Sequence, residues 1–269
     1  NSVESSRIWD STSALRLDQI PGKLLVIGGG YIGLELGSVY AALGSEVSVV
    51  EMTPGIIPGA DRDLAQILQK QLSKSMKTMM FGTKVTGLVE EKDGMRVQFE
   101  KDGKAEEEVY DYVLVSIGRK PNSSGLGLDN TGVKVSDHGF IEVNGARQTA
   151  VSNIYAIGDV VGGLMLAHKA SHEAKTAVEA IQGQDVTFEP QAIPAVIFTD
   201  PQVAWCGLTE TEAKEKGVEY KAVKFPWAAS GRATTLGRNE GVTKLLIDPK
   251  SEAILGMGIV GPGAGDMIS

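Results

Sequence analysis

The sequence predicts an α/β protein with a parallel sheet, an inserted antiparallel β-meander and a strand-rich C-terminal region. Three observations lead to this fold class. Two apolar strand-like runs enclose a helix-like segment between residues 23 and 51, alternation with a period of two follows between Thr83 and Val109, and strand patterns return after residue 190. The 269 residues, 42% of them hydrophobic, suffice for one large domain or for two to three small ones.

Charge and composition exclude several classes of protein. A net charge of −8 argues against a surface that binds nucleic acid or an anionic membrane. The sequence contains no apolar run of about 18 residues or more, so no membrane-spanning helix is expected. Cys206 is the single cysteine, which excludes an intramolecular disulfide and a cysteine metal cluster, and we expect it to be a small half-buried hydrophobe.

The first 21 residues are predicted to be a connector. Asp10 can cap a short turn, and Pro21-Gly22 precedes the first strand. The chain starts with Asn1 rather than Met and shows no basic segment followed by an apolar one. We therefore expect the native start to lie upstream, and we expect a cytoplasmic location.

Glycines end the first apolar strand with the spacing G-x-G-x-x-G, at Gly28, Gly30 and Gly33. In this motif the first glycine permits a tight turn, the second lets the backbone approach a pyrophosphate, and the third lets helix and strand pack closely. The N-terminus of the following helix attracts phosphates. The motif predicts a Rossmann-like dinucleotide site; the alternatives are an ordinary glycine turn and an FAD-binding βαβ unit with the same fingerprint.

An acidic residue ends the second strand of this unit. Val47-Ser48-Val49-Val50 is followed by Glu51, eighteen residues after Gly33. A carboxylate here can accept hydrogen bonds from a ribose 2′-hydroxyl and repels a 2′-phosphate. The sequence therefore predicts NAD(H) rather than NADP(H).

The next segments alternate between helix and strand patterns. A helix is predicted from about Asp61 to Ser75, with apolar residues on one face and a methionine cluster that fills core space just beyond it: Leu64, Ile67, Leu68, Leu72, Met76, Met79 and Met80. The pairs Asp93-Gly94 and Asp102-Gly103 predict two hairpin turns of the meander. We interpret the acidic run 106–108 as a solvated strand end.

A buried parallel strand is predicted over residues 112–117, ending at the corner Gly118-Arg119. Ligands of open α/β sheets bind beyond the carboxyl ends of strands, so this corner is a second wall of the crevice or, alternatively, a surface turn with a solvated arginine. A short strand over Ile154–Ile157 is then predicted to end at Asp159, either as a cap or turn residue or as a ligand of hydroxyl groups.

A helix is predicted from about residue 167 to residue 182. Its apolar stripe contains Ala170, Ala174, Ala177, Val178 and Ile181. His168 and His172 lie four apart on it, a spacing that can bind a metal, but no third ligand is evident and no metal site is predicted.

Four local stretches resemble the pyridine nucleotide–disulfide oxidoreductases. They are residues 26–51 with Ile32-Gly33-Leu34-Glu35, residues 117–122, residues 149–169, and residues 199–204 together with 225–233. The last pair, with Glu51, resembles the dihydrolipoyl dehydrogenase branch. The resemblance covers essentially the whole chain.

The resemblance implies an enzyme that passes electrons from a reduced lipoyl group through a cysteine disulfide and FAD to NAD+. It implies NAD contacts at Gly28, Gly29, Gly30, Tyr31, Ile32, Gly33, Glu51, Val85, Ser116, Ile117, Gly118 and Arg119. It implies FAD contacts at Asp159, Met165, Ala167 and His168, and it places Glu35 near the contact of nicotinamide and flavin.

The resemblance also implies a domain order and partners. Residues 1–21 connect to an FAD domain, 22–122 bind NAD, 123–189 form a central FAD-contacting domain, and 190–269 form a partial interface domain of α+β type. The family's redox cysteine pair and catalytic His-Glu pair have no counterpart here, so we expect a fragment without catalytic residues of its own. The expected partners of the intact protein are a second copy and the lipoyl domain of a 2-oxo-acid dehydrogenase complex.

Two other interpretations stay open. A related flavoprotein with another acceptor, such as an NADH oxidase, a mercuric or glutathione reductase or a transhydrogenase, shares most of the same stretches. The chain by itself could also be a non-catalytic module that binds NAD and dimerises. In either case we expect the isolated chain to hold FAD weakly, because only part of the FAD site is present.

Overall fold

The computed structural model describes residues 4–268 and divides into two compact units. The first unit consists of Asn1–Ile117 and Pro194–Ser269, and the second of Gly118–Ile193. Among the described residues, no helix combines the length and the apolar character needed to cross a bilayer. The predicted division into a connector and three domains stays a prediction.

The N-terminal part of the first unit contains a parallel sheet and an antiparallel meander. Its elements are β1 (Ile8–Trp9), α1 (Ser11–Ala14), β2 (Lys23–Ile27), α2 (Tyr31–Ala42), β3 (Glu46–Glu51), α3 (Arg62–Leu72), β4 (Thr78–Phe81), β5 (Lys84–Glu91), β6 (Gly94–Lys101), β7 (Lys104–Tyr110) and β8 (Tyr112–Val115). The parallel strands have the order β1-β8-β2-β3-β4, and β5-β6-β7 form the separate meander. The predicted fold class is confirmed, and Asp10 caps α1 as expected.

Both faces of the parallel sheet are covered, which explains why β2 and β3 carry apolar residues on both faces. Leu24 and Val26 on one face pack with α2 and α3, whereas Leu25 on the other face packs with the meander residues Met95 and Val97. The predicted helix is present as α3, although it ends three residues early, and the methionine cluster lies in these cores.

The meander has one turn where the sequence predicted it and one shifted by a residue. Asp102 and Gly103 form the second turn with φ angles of 52° and 74°. In the first turn Glu91 pairs with Gly94, so the turn residues are Lys92 and Asp93. The acidic run lies within β7 rather than at its end and is exposed, as expected for solvated side chains.

The second unit contains α4 (Ala167–Ile181) and few regular strand contacts. The predicted strand over Ile154–Ile157 is wrong: Tyr155 makes an isolated bridge with Gln148, and Gly158–Val161 form a 3-10 turn. The run makes only a few hydrogen bonds to the preceding segment: the Ile154 N–H donates to the Val151 carbonyl, and the Ala156 N–H donates to the Arg147 carbonyl. Without a continuous neighbouring strand no ladder forms.

The apolar stripe predicted for α4 is wrong in part. Ala177 is buried, but Val178 and Ile181 are exposed, and the other buried positions of the helix are Lys169 and Glu173. These two side chains form an ion pair. Their opposite charges compensate each other, so a charged pair occupies buried positions of α4 that lie outside the predicted apolar stripe.

The C-terminal part of the first unit forms an antiparallel sheet. Its elements are β9 (Ala195–Ile197), β10 (Gln202–Gly207), α5 (Glu210–Glu215), β11 (Lys221–Pro226), α6 (Gly231–Leu236), β12 (Val242–Ile247), β13 (Ile254–Gly261) and α7 (Ala264–Met267). The strand order is β11-β12-β13-β10-β9. Ile197, Val203 and Val260 share a core with Leu64 and Leu68 of α3, so this sheet packs on the Rossmann-like part. Cys206 is half-buried, as expected.

A buried lysine joins the two parts of the first unit. The Lys244 ammonium on β12 lies 2.7 Å from Asp61 Oδ2 and 3.0 Å from Asp63 Oδ1, and it also contacts Glu210. Burial opposes the charge of Lys244, but the hydrogen bonds to these carboxylates outweigh it and raise its pKa. The three carboxylates lie close enough together for a metal ion, yet the lysine ammonium already binds them.

Candidate functional site

The glycine turn between β2 and α2 is too crowded for side chains at two of its three positions. Gly28 has φ +111°, and a Cβ there would lie 2.5 Å from the Ser116 carbonyl oxygen. A Cβ on Gly33 would lie 2.5 Å from Ser116 Oγ and would overlap the Gly28 carbonyl. The tight turn and the close helix–strand packing expected from the motif are therefore present.

The remaining glycine of the motif, Gly30, faces open space. A Cβ on Gly30 would meet no atom within 4 Å. Gly30 is also the N-cap of α2, where no side chain caps the helix and no acidic residue lies in the first turn. Tyr31 and Ile32 begin the helix, so their N–H groups have no intrahelical partner. This arrangement suits a phosphate.

Glu51 lies against the same turn. Its Oε2 accepts a hydrogen bond from the Gly29 N–H at 2.7 Å, and its Oε1 accepts one from the Thr53 N–H at 2.7 Å. A carboxylate has about four lone-pair sites, so both oxygens keep capacity for hydroxyl donors. The structure thus brings the glycine turn and the carboxylate together at the carboxyl edge of the sheet.

Of the other residues predicted to contact NAD, Ser116 lies at this turn. Its Oγ donates to the Ile27 carbonyl at 3.0 Å and so links the end of β8 to the end of β2. Ile117 follows and is exposed. Val85 packs against the core between the sheet and the meander.

Gly118 and Arg119 begin the second unit, where Arg119 pairs with Asp159. Its Nη2 lies 2.8 Å from Asp159 Oδ2, and both side chains are partly exposed. The sequence assigned these residues to different cofactors, so their pairing was not expected. Asp159 lies in the 3-10 turn Gly158–Val161 rather than after a strand.

The remaining residues predicted to contact FAD lie around the start of α4. Met165 precedes the helix and is half-buried, while Ala167 and His168 are exposed in its first turn. That turn has no acidic residue, and the N-cap Leu166 gives no side-chain hydrogen bond. The positive end of this helix favours negative charge.

Glu35 is a half-buried carboxyl group on α2. Its Oε1 accepts a hydrogen bond from the Phe198 N–H at 2.8 Å, so it joins α2 to the segment after β9. Burial raises the pKa of Glu35 even though this hydrogen bond opposes the shift. The sequence singled out Glu35 but gave no indication of Phe198 as its partner.

Comparison with known proteins identifies the family. A profile described as Pyridine nucleotide-disulphide oxidoreductase matches residues 1–174. The chain belongs to the pyridine nucleotide-disulphide oxidoreductase family. A second profile, for the dimerisation domain of this family, matches residues 193–269. The family resemblance seen in the sequence is thereby confirmed.

Similar proteins in this family are about twice as long. Dihydrolipoyl dehydrogenase of Haemophilus influenzae is 49% identical over 265 residues, which cover 98% of this chain and 55% of that protein. The enzyme of the same name from Thermus scotoductus is 46% identical, with 97% of this chain and 57% of that protein covered. The chain thus spans just over half the length of these relatives.

Solved structures show the same fold. The HOCl-induced flavoprotein disulfide reductase RclA from Escherichia coli, as its Cu(II) complex, has a TM-score of 0.89 at 28% identity and covers 98% of this chain and 60% of its own. LpdA from Mycobacterium tuberculosis has a TM-score of 0.87 at 26% identity; the match covers 97% of this chain and 57% of the LpdA chain.

Sequence analysis missed the ionic network beneath the Asp159 turn. Lys169 and Glu173 lie four residues apart on a helix, a spacing that could have indicated an ion pair. Arg147 joins the pair through Glu173, at 3.0 Å from Nη1 to Oε1. Nothing in the local sequence indicates that contact, because the two residues are 26 positions apart.

Proposed function

We propose that this chain supplies the NAD(H) site and part of the FAD site of a dihydrolipoyl dehydrogenase. Such an enzyme passes electrons from a dihydrolipoyl group through a cysteine disulfide and FAD to NAD+. The observation that carries the proposal is the placement of the Glu51 carboxylate on the Gly29 N–H, beside the uncapped start of α2. The resemblance to curated dihydrolipoyl dehydrogenases at 44–49% identity supports the choice of enzyme.

The residues present fit NAD, which supplies the hydride acceptor when it is bound. The N–H groups of Tyr31 and Ile32 would bind the diphosphate, and the open space at Gly30 would let it approach. Glu51 would accept hydrogen bonds from the adenosine ribose while the Gly29 and Thr53 N–H groups hold its orientation. A 2′-phosphate would face the negative charge of Glu51, which disfavours NADPH.

The residues present also fit the flavin side of FAD, which relays electrons between disulfide and nicotinamide when it is bound. Asp159 would accept hydrogen bonds from ribityl hydroxyls, since its carboxylate is partly exposed. Met165 and the first turn of α4, at Ala167 and His168, would lie against the ring system. The helix N-terminus there stabilises negative charge.

The partners and the location follow from the same relatives. We infer a homodimer, supported by the match of residues 193–269 to the dimerisation domain. A lipoyl domain of a 2-oxo-acid dehydrogenase complex as the substrate-bearing partner, and the cytoplasm as the location, rest on the similarity to dihydrolipoyl dehydrogenases.

Titration of the chain with NADH and with NADPH tests the NAD site. We expect NADH to bind at least about tenfold more tightly, the difference that about 1.4 kcal/mol produces. Glu51→Gln should remove most of this preference. The matched control is Glu46→Gln, at the exposed start of the same strand, which should leave both affinities unchanged. Equal affinities in the unaltered chain, or tighter NADPH binding, would contradict the proposal.

A related flavoprotein disulfide reductase is the second candidate. The likeness to the flavoprotein disulfide reductase RclA, with a TM-score of 0.89 at 28% identity, favours it. Both candidates predict that the isolated chain reduces little or no lipoamide with NADH, because no counterpart of the redox cysteine pair is present. Robust turnover of lipoamide by this chain would show that the interpretation as a fragment without catalytic residues is wrong.

A further inference from the structure

Side chains of α4 form hydrogen bonds with both ends of the turn that carries Asp159. At its start, the Gly158 N–H donates to Glu173 Oε2 at 2.7 Å. At its end, the Gly162 carbonyl accepts from Lys169 Nζ at 3.0 Å. Gly158 and Gly162 have φ angles of 78° and 79°, a region that side chains other than glycine rarely adopt. The two hydrogen bonds therefore fix an unusual backbone conformation.

The two fastening side chains also bind each other. Lys169 Nζ lies 2.9 Å from Glu173 Oε1, one helical turn away, and the two side chains are 5% and 1% exposed. Arg147 Nη1 donates to the same Oε1 at 3.0 Å. The two cations therefore share the single carboxylate of Glu173, and both of its oxygens are bonded.

A buried ion pair is a poor means of stabilising a helix. Removing two charges from water costs several kilocalories per mole per ion, and apolar residues of similar volume often serve as well or better. Lys169 and Glu173 lie on the buried face of α4 together with Ala177, where apolar residues are the usual choice. Apolar side chains could not, however, bond the Gly158 N–H or the Gly162 carbonyl.

We infer that Lys169 and Glu173 are positioning residues, which hold the turn so that the Asp159 carboxylate is presented to the flavin ribityl chain. This inference rests on the proposed FAD contact of Asp159. The pair itself is buried, whereas Asp159 stays 40% exposed and pairs with Arg119 at the surface. Fixing the turn before a ligand binds removes an ordering cost from binding.

The substitution Lys169→Met tests one of the two hydrogen bonds to the turn without removing the other. It removes the bond to the Gly162 carbonyl and leaves Glu173 paired with Arg147 and bonded to the Gly158 N–H. The matched control is Lys175→Met. Lys175 lies on the same helix and pairs with Glu179 at the same spacing, but at 3.8 Å and with 76% of its side chain exposed.

Hydrogen exchange in the flavin-free chain tests the positioning directly. We expect the amides of residues 158–162 to exchange about tenfold faster in Lys169→Met and no more than about twofold faster in Lys175→Met. Exchange that is unchanged in this turn, or that rises uniformly over the whole second unit, would overturn the inference. If Lys169→Met does not fold, Glu173→Gln, which removes the charge but keeps an acceptor oxygen, is measured in the same way.

Titration with FAD, followed by its fluorescence, links the turn to the ligand. We expect Lys169→Met to weaken FAD binding about fivefold, and we expect Asp159→Asn to weaken it as well. Both variants are measured at a temperature where circular dichroism shows that they are folded. Lys175→Met should bind like the unaltered chain. If Asp159→Asn binds FAD normally, the proposed FAD contact is wrong, while the exchange result still decides whether Lys169 and Glu173 hold the turn. Normal FAD binding by Lys169→Met together with weakened binding by Asp159→Asn would overturn the inference.

Discussion

Glu51 and Asp159 are assigned the same chemical task, acceptance of sugar-type hydroxyl groups, but their surroundings differ. Glu51 ends a strand that is paired on both sides, and main-chain N–H groups hold its carboxylate. Asp159 lies in a 3-10 turn, and its carboxylate pairs with Arg119. The buried, charged side chains of Lys169 and Glu173 hydrogen-bond to the backbone of this turn. One site is therefore built from backbone geometry and the other from side chains, so substitutions should affect them differently.

The largest effect is expected where the backbone site is most crowded. Gly33→Val should lower the free energy of unfolding by about 3 kcal/mol or more, because its Cβ would overlap the Gly28 carbonyl. Gly30→Ala should change it by less than about 1 kcal/mol, since no atom lies near, yet should weaken NADH binding. Urea unfolding and NADH titration of both variants check this. Equal destabilisation by the two substitutions would show that the turn is not packed as described.

A smaller effect is expected at the side-chain site. Arg119→Gln should change the free energy of unfolding by less than about 1 kcal/mol, because its ion pair with Asp159 is partly exposed. It should also reduce NADH affinity less than Glu51→Gln does. The control is Lys120→Gln, the exposed neighbour. A loss of NADH affinity larger than that of Glu51→Gln would make Arg119, rather than Glu51, the main determinant of NAD binding.

The smallest effect concerns Glu35, a third carboxyl group, which is half-buried on α2. Its pKa is raised, so it favours the folded state below the ordinary glutamate pKa of 4.5 and loses this contribution as the pH rises through its folded-state pKa. The stability of Glu35→Gln relative to the unaltered chain should therefore increase between about pH 4 and about pH 7. Urea unfolding across this range measures it, with Glu46→Gln as the exposed control. A constant difference would show that burial does not perturb Glu35.

The sequence predicted the regions in which local pattern and tertiary structure agree. The glycine turn and Glu51 were foreseen because both belong to one βαβ unit with a fixed spacing. The strand over residues 154–157 was not formed, since an apolar run becomes a strand only beside a partner strand. Glu35 and Phe198 are 163 positions apart, so no periodic pattern in the sequence could predict their contact.

The cluster around Lys244 limits how this protein can be divided experimentally. Cutting away the C-terminal sheet would remove the ammonium groups of Lys224 and Lys244 and leave Asp61 and Asp63 as neighbouring anions at the start of α3. It would also uncover Leu64, which packs beside Val260. In a shortened chain made to isolate nucleotide binding, Asp61 and Asp63 would therefore repel each other, and an apolar surface at the start of α3 would be exposed. Neutral replacements of both aspartates would be a sensible part of its design.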